Sequence, residues 1–232
     1  MPEKDALKTL YPFLHGTGRD DGDVLAGLAE SIRQKAAHSV DTKQRFFAEN
    51  EAAIVAAARA LATVFQDGGR LFTMGNGGSA CDAAHIAVEF QHPVTAGRPA
   101  LPAMNLAADT AFATAVGNDV GFREIYVRQI AAHGRPGDGL IGVSTSGHSA
   151  NLMAAFDKAK KMGLTTVALA GMDGGAMAAS PSLDHCLVVP TDSIHRIQEC
   201  HVALYHILWD LVHTLLADAR GGLAAGGEGP AP

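Results

Sequence analysis

Residues 71–89 read LFTMGNGGSACDAAHIAVE and decide how the rest of the sequence is interpreted. The apolar run 71–74 predicts a buried strand, and the glycines after it allow a sharp turn of the backbone. The remaining residues predict a helix that carries His85 and Glu89 one turn apart. Because a helix N-terminus presents free amides and a positive dipole end, we expect an anion site next to two groups suited to a metal or a proton.

Composition limits the classes of protein that fit. The chain has 232 residues, 47% of them hydrophobic, and a net charge of -6 without a long basic run. We therefore expect one domain and no nucleic-acid partner. No window approaches the ~18 consecutive apolar residues of a membrane span, and the N-terminus does not read as a secretory signal. Three cysteines without metal-type spacing indicate a cytoplasmic protein.

Short apolar runs alternate with helical patterns through most of the chain, which predicts an α/β fold with a parallel sheet covered on both faces. The predicted strands are 70–74, 101–105, 138–143, 164–169 and 185–189. The predicted helices of this part are 79–90, 110–116, 121–132, 149–162 and 194–218.

The two ends of the chain read differently from the middle. Residues 1–22 predict a flexible arm, and the Gly/Ala/Pro-rich residues 219–232 predict a disordered tail. Between them, residues 23–218 form the predicted domain. Its N-terminal part has an apolar pattern at helical spacing from Val24, and Asp41 is a candidate cap for a second helix that ends at Gly68.

A second polar loop follows a predicted strand at residues 144–149. It offers four hydroxyls, those of Ser144, Thr145, Ser146 and Ser149, around a glycine. Hydroxyls and amides together can bind a phosphate without a lysine. Either loop alone also fits an ordinary turn, with Ser79 or Ser149 as a helix cap. Since both loops lie at the carboxyl ends of strands, where α/β sheets bind ligands, the pair favours a binding site.

His85 and Glu89 lie at i and i+4, a spacing that suits zinc binding, acid–base chemistry or a simple exposed pair. The polar positions in the last helix are Gln198, His201 and His206. His201 fits a solvated or core-edge histidine. Eight residues of helix rise about 12 Å, so Gln198 and His206 reach one ion only if the first turn is displaced or the side chains converge.

Several motifs together resemble the phosphoheptose isomerases of the sugar isomerase (SIS) family over roughly residues 40–218. The motifs are Gly-Asn-Gly-Gly-Ser at 75–79, the serine-rich loop at 144–149 and Arg-Ile-Gln-Glu at 196–199, with Arg98-Pro99, Asp109 and Val-Gly-Asn-Asp at 116–119. The resemblance implies a single SIS domain with a flavodoxin-like, five-stranded parallel sheet and N-terminal helices. It also implies a homotetramer.

The resemblance further implies the reaction, which converts D-sedoheptulose 7-phosphate to D-glycero-D-manno-heptose 7-phosphate through an enediolate. It assigns Glu89 as the base and His206 as the partner acid. It also implies one zinc ion per subunit, held by His85, Glu89, Gln198 and His206. The zinc ion either polarises the carbonyl or has a mainly structural role, because a carboxylate bound tightly to zinc is a poorer base.

The same resemblance implies the residues that bind the phosphorylated sugar. Asn76, Asp109 and Gln198 would hold sugar hydroxyls, and the two loops would hold the phosphate. The implied set is Asn76, Gly77, Gly78, Ser79, Asp109, Ser144, Thr145, Ser146, Ser149 and Gln198.

Three positions depart from the family pattern and concern the substrate. Pro93 stands where an arginine is usual and stops the helix, while His148 and His195 replace smaller polar residues. An isomerase of another phosphosugar is therefore an alternative. A non-catalytic adaptor that binds a replication initiator protein is another, although the chain keeps the acidic and metal-type residues of the enzymes. A sugar-phosphate-sensing regulator is disfavoured because no helix-turn-helix segment is attached.

Overall fold

The computed structural model describes residues 21–219, which fall into two units divided between Asp41 and Thr42. The predicted arm and the predicted tail lie outside the described residues except at their inner edges. There, residues 21, 22 and 219 are helical, so the helices extend slightly further than predicted.

The first element is one long helix, α1 (Asp21–Gln66). The predicted second helix with Asp41 as its cap is wrong, because Asp41 lies inside α1. No glycine or proline occurs between residues 28 and 67, so nothing in this stretch interrupts the helix. The predicted stop is confirmed, since α1 ends just before Gly68, whose φ is 79°.

The second unit contains the predicted sheet of five parallel strands, and their order in the sheet is β2-β1-β3-β4-β5. The strands are β1 (Leu71–Gly75), β2 (Ala103–Asn105), β3 (Gly139–Ser144), β4 (Thr165–Gly171) and β5 (His185–Val189). The helices after α1 are α2 (Gly78–Gln91), α3 (Thr110–Asp119), α4 (Ile125–His133), α5 (Ala150–Lys161), α6 (Gly175–Ala178) and α7 (Ile194–Ala219). A 3-10 turn, Phe122–Glu124, precedes α4, and α6 was not predicted.

The strands bury both faces, so neighbouring residues enter different cores. In β1, Leu71 joins the cluster formed with the second half of α1, α2 and α7, whereas Phe72 and Met74 join the cluster formed with α4 and α5. This arrangement confirms the predicted sheet covered on both faces. It also explains why the strands read as nearly continuous apolar runs.

The strand order places the first two polar loops side by side. β1 pairs with β2 on one side and β3 on the other, and Gly75 at the end of β1 lies opposite Val143 near the end of β3. Successive strands are therefore added on one side of β1 and then on the other, so the strand order reverses between β1 and β3. Crevices at such switch points are where open α/β sheets bind ligands.

Helix α7 is long and apolar enough to cross a membrane by length and composition alone. Half of its most apolar window is buried inside the protein, and Ile197, Leu204 and Leu208 belong to the core. A core helix meets the same criteria, so this observation is weak evidence for a membrane span.

Candidate functional site

The first loop, residues 75–79, is shaped by its backbone. Gly77 has a φ of 55° and precedes α2, which begins at Gly78. The prediction that Ser79 caps this helix is wrong, because Ser79 lies within the first turn and is buried. The amides of Ser79 and Ala80 donate to the carbonyls of Asn76 and Gly77, both at 3.0 Å. The turn is therefore closed by its own hydrogen bonds.

Two glycines of this loop stand where a side chain would collide. A Cβ on Gly75 would lie 2.2 Å from the carbonyl oxygen of Ser79, and one on Gly78 would lie 2.3 Å from Nε2 of Gln198. The hydroxyl of Tyr126 also donates a hydrogen bond to the carbonyl of Gly75. Glycine is needed at position 75 because the neighbour there is backbone, whereas a Cβ on Gly78 would displace only the end of the flexible Gln198 side chain.

The second loop, residues 144–149, is organised by hydroxyls. Oγ of Ser144 lies 3.0 Å from Oγ of Ser149 and accepts from the amide of Gly147 at 3.2 Å. Oγ of Ser146 accepts from the amide of His148 at 3.3 Å. Ser149 occupies the cap position of α5, but its hydroxyl bonds to Ser144 and not to the helix. Ser146 and Thr145 are half-buried beside this network.

A pair of asparagines connects the two loops. The side-chain amides of Asn76 and Asn151 exchange two hydrogen bonds, each 2.9 Å long. Asn151 is buried in the first turn of α5, and sequence reasoning did not single it out as a site residue. The amide of Asn76, predicted to hold a sugar hydroxyl, thus uses one of its two N–H donors to join the loops and keeps the other.

His85, Glu89 and His206 form a half-buried group, which we call the His–Glu–His cluster. Nε2 of His85 lies 3.1 Å from Oε1 of Glu89, and one ligand atom of each residue lies within 4.8 Å of the others. Burial lowers the pKa of His206, the nearby His85 lowers it further, and Glu89 opposes both. The neutral imidazole that results can bind a metal or pass a proton.

The donor set of the cluster fits a zinc ion. Two histidines and one glutamate are the ligands of known catalytic zinc sites, which leave a fourth position open. A buried carboxylate lies close by, that of Asp82, on which His85 acts electrostatically. Its Oδ2 has no hydrogen-bond partner among residues 21–219. Burial raises the pKa of Asp82, and the neighbouring His85 lowers it.

Gln198 and Asp109 lie elsewhere around the site. Gln198 contacts Gly78, which precedes His85 by seven residues or about 10 Å of helix, so its role as a fourth zinc ligand stays a prediction. Asp109 is exposed after β2 and caps α3 by accepting from the amide of Phe112 at 2.8 Å. This capping role was not predicted.

Two further side chains of α7, both missed by sequence reasoning, contact the cluster. The hydroxyl of Tyr205 lies 2.7 Å from Nδ1 of His85, and Nε1 of Trp209 donates to the carbonyl of Glu89 at 2.9 Å. The guanidinium of Arg98 lies 4.5 Å from the centre of the Trp209 ring. The available signal was the spacing of the two aromatic residues, which lie at i and i+4 beside His206.

His201, also in α7, is a core residue. It is fully buried, and its Nε2 bonds to the carbonyl of Ala170 at 2.9 Å. Burial lowers its pKa to about 4, and the bond to Ala170 opposes this change. Its ring is therefore neutral and buried deeper than predicted.

The fold and the site together define an α/β protein with two polar loops at the switch point of its sheet and a metal-type cluster on α2 and α7. A family model described as SIS domain matches residues 36–171. The phosphoheptose isomerase of Chlorobaculum tepidum is 45% identical over 190 residues, which cover 81% of this chain and 90% of the relative.

Solved structures give the same result. Phosphoheptose isomerase GmhA from Neisseria gonorrhoeae has a TM-score of 0.75 and 37% identity, covering 81% of this chain and 99% of the relative. A phosphoheptose isomerase from Francisella tularensis has a TM-score of 0.76 and 34% identity, with 80% and 98% covered. The chain belongs to the SIS domain family and, within it, to the phosphoheptose isomerases.

Proposed function

We propose that the protein is a phosphoheptose isomerase that converts D-sedoheptulose 7-phosphate to D-glycero-D-manno-heptose 7-phosphate through an enediolate. The observation that carries the proposal is the position of His85 and Glu89, two members of the His–Glu–His cluster, on the helix that begins in the first loop. About 10 Å of helix separates Gly78 from His85. An extended seven-carbon chain with bonds of about 1.5 Å spans a comparable distance, roughly 8 Å.

The two loops are the proposed phosphate site. Their exposed or half-buried polar groups include Gly77, Gly78, Thr145, Ser146 and Ser149. Binding the phosphate there would hold the reacting carbons at the cluster, so that binding energy from a remote group lowers the barrier. Ser79 and Ser144 belong to the proposed set as well, and both are buried. Asn76, Asp109 and Gln198 are the proposed partners of the sugar hydroxyls.

The proton transfers are assigned to two residues of the cluster. Glu89 removes the proton from C1 of the ketose and returns it to C2, and His206 moves a proton between the two oxygens. The half-buried setting of both side chains supports these roles, because it limits access of water while leaving an open side. His206 enters the reaction as a neutral imidazole, which has both a donor and an acceptor nitrogen.

We propose zinc as the metal of the cluster, one ion per subunit, with His85, Glu89 and His206 as ligands and Gln198 as a fourth. When bound, zinc supplies a Lewis acid that polarises a carbonyl oxygen. The cluster residues would orient the sugar carbonyl towards that position and exclude water from it. Glu89 would serve both as ligand and as base only if it binds the metal loosely.

We also propose a cytoplasmic homotetramer that binds neither nucleic acid nor a membrane. Apolar side chains are exposed along the first half of α1, including Leu25 at 66%, Leu28 at 57% and Ile32 at 70%. They recur at helical spacing, so they form a stripe suited to helix packing between subunits. Light scattering tests the assembly, and a monomer in solution would contradict it.

The decisive experiment incubates the purified protein with sedoheptulose 7-phosphate and, separately, with hexulose and pentulose phosphates. We expect an aldoheptose 7-phosphate, identified by NMR, from the first substrate alone. Chelation should abolish its formation and added zinc should restore it. Preference for another ketose phosphate would identify that compound as the substrate in place of sedoheptulose 7-phosphate. Failure with every ketose phosphate would favour the adaptor function.

A further inference from the structure

Tyr205 contacts the cluster through its hydroxyl, although no motif includes it. Its oxygen lies 2.7 Å from Nδ1 of His85, while Nε2 of the same ring lies 3.1 Å from Oε1 of Glu89. We infer that Tyr205 is a positioning residue that holds the His85 ring in place for metal binding and accommodates either tautomer of that ring. The inference rests on the proposed metal site.

Without a metal, the chemistry of the neighbours determines where the His85 proton lies. The carboxylate of Glu89 can only accept, so Nε2 of His85 carries the proton and donates it. Nδ1 is then an acceptor, and the hydroxyl of Tyr205 donates to it. Both ring nitrogens are satisfied, and the ring is held from two sides.

With a metal on Nε2, the pattern reverses. A neutral His85 then carries its proton on Nδ1, and the oxygen of Tyr205 accepts it. A hydroxyl can make this change because it both donates and accepts, whereas a carboxylate only accepts and an ammonium only donates. Partners of this kind fix the orientation of metal-binding histidines and raise their affinity for the ion.

The reversed pattern requires a new acceptor for the phenol proton, and Asp82 is the residue that we expect to provide it. Asp82 lies three positions before His85 in α2, which places both on one helix face. Its Oδ2 is buried and has no hydrogen-bond partner among the described residues. Its negative charge also contributes to the raised pKa of Tyr205, after burial as the main cause.

The rigidity of Tyr205 supports a positioning role. Its side chain is only 3% exposed, and its ring packs edge-on against His85 with 5.2 Å between the ring centres. A Tyr205→Phe variant keeps this packing and removes only the hydroxyl. A matched control is Tyr126→Phe, which removes a phenol hydroxyl that bonds to the carbonyl of Gly75 instead.

The test measures zinc affinity of the metal-free protein by competition with a chromogenic chelator. We expect Tyr205→Phe to bind zinc about 10- to 100-fold more weakly than the wild type. Tyr126→Phe should bind zinc as the wild type does. In a His85→Ala background, removing the Tyr205 hydroxyl should have no further effect. An equal loss in both backgrounds would indicate a general structural role and overturn the inference.

The outcomes separate this inference from the proposed function. If the wild type binds zinc and Tyr205→Phe binds it equally well, the positioning role is wrong and the metal site stands. If the wild type does not bind zinc, both fail, while isomerase activity without metal would still support the reaction. Histidine nitrogen NMR of the metal-free protein gives a second measurement. It should show one His85 tautomer in the wild type and a mixture in Tyr205→Phe.

Discussion

The two loops and the His–Glu–His cluster are built from different groups, although helix α2 begins in the first loop and carries His85 and Glu89 of the cluster. The loops rely on backbone and short polar side chains, with glycines at positions where a Cβ would collide. The cluster relies on long side chains, and Tyr205 and Trp209 of α7 hold two of its members. The proposed chemistry is thus separated from the proposed anchoring, and α2 connects the first loop to two members of the cluster. Variants can therefore disturb either function alone.

The largest effect should come from Glu89→Gln, which alters the cluster and leaves the loops intact. The amide cannot take a proton, so we expect turnover to fall by at least about 100-fold. Phosphosugar binding, measured by calorimetry, should persist. Glu30→Gln, an exposed change on α1, is the matched control and should keep full activity. Isomerisation by the purified Glu89→Gln protein would exclude Glu89 as the base.

Gly147→Ala should have the next largest effect, which is a loss of stability and of phosphosugar binding, because it alters the second loop. Gly147 has a φ of 65°, and a Cβ there would lie 2.0 Å from the carbonyl oxygen of Gly174. Gly77→Ala is the comparison, because Gly77 also has a positive φ but open space around its Cβ position.

Backbone strain alone should lower the free energy of unfolding by about 1–3 kcal/mol in Gly77→Ala. The collision should make the loss larger in Gly147→Ala and weaken phosphosugar binding there. Denaturant titration and calorimetry measure the two effects. Equal losses in the two variants would mean that the contact with Gly174 does not constrain the second loop.

The asparagine pair offers a smaller test of how the loops are coupled. Asn76→Ala and Asn151→Ala each leave an amide without its partner, so each should raise KM more than it lowers kcat. A double-mutant cycle should give a coupling energy of about 1 kcal/mol. Additive effects in the cycle would mean that the two hydrogen bonds do not couple the loops.

The smallest effect on the protein at neutral pH is expected for His201→Gln. This variant changes a histidine of the core, in contrast to His206, which belongs to the cluster. The folded-state pKa of His201 is about 4, below the ordinary 6.5. The unfolded chain therefore binds a proton that the folded protein does not, and stability falls as pH falls from 6.5 towards 4. Glutamine keeps a donor for the carbonyl of Ala170 but does not titrate.

As pH falls over this range, the free energy of unfolding of the wild type should accordingly decrease by up to roughly 3 kcal/mol more than that of His201→Gln. Denaturant titrations of both proteins at several pH values measure the difference. Parallel curves would show that His201 does not govern acid stability.

The sequence predicted the fold well because its signals are local. Five apolar runs gave the five strands, and the glycine after β1 gave the turn into α2. The errors at Asp41 and Ser79 have one cause: both are good N-caps, but an N-cap acts only where the chain enters a helix. Asp41 lies inside α1, and the N-cap of α2 is Gly77, two residues before Ser79.

The site was predicted in part for a similar reason. The spacing of His85 and Glu89 reveals a shared helix face, and the resemblance supplied His206. Asn151 comes from a distant segment and leaves no pattern in spacing. Tyr205 and Trp209 do lie at i and i+4, but this spacing does not reveal that they contact residues of α2. The contact between Gln198 and Gly78 depends on how α7 packs against α2, which no local signal records.

Trp209 has a practical consequence. It is the single tryptophan of the chain, and its indole donates to the backbone of Glu89 while Arg98 lies over its ring. Its fluorescence therefore originates beside the cluster and nowhere else in the protein. Emission should change when zinc or a phosphosugar binds, so the unmodified protein carries its own optical reporter.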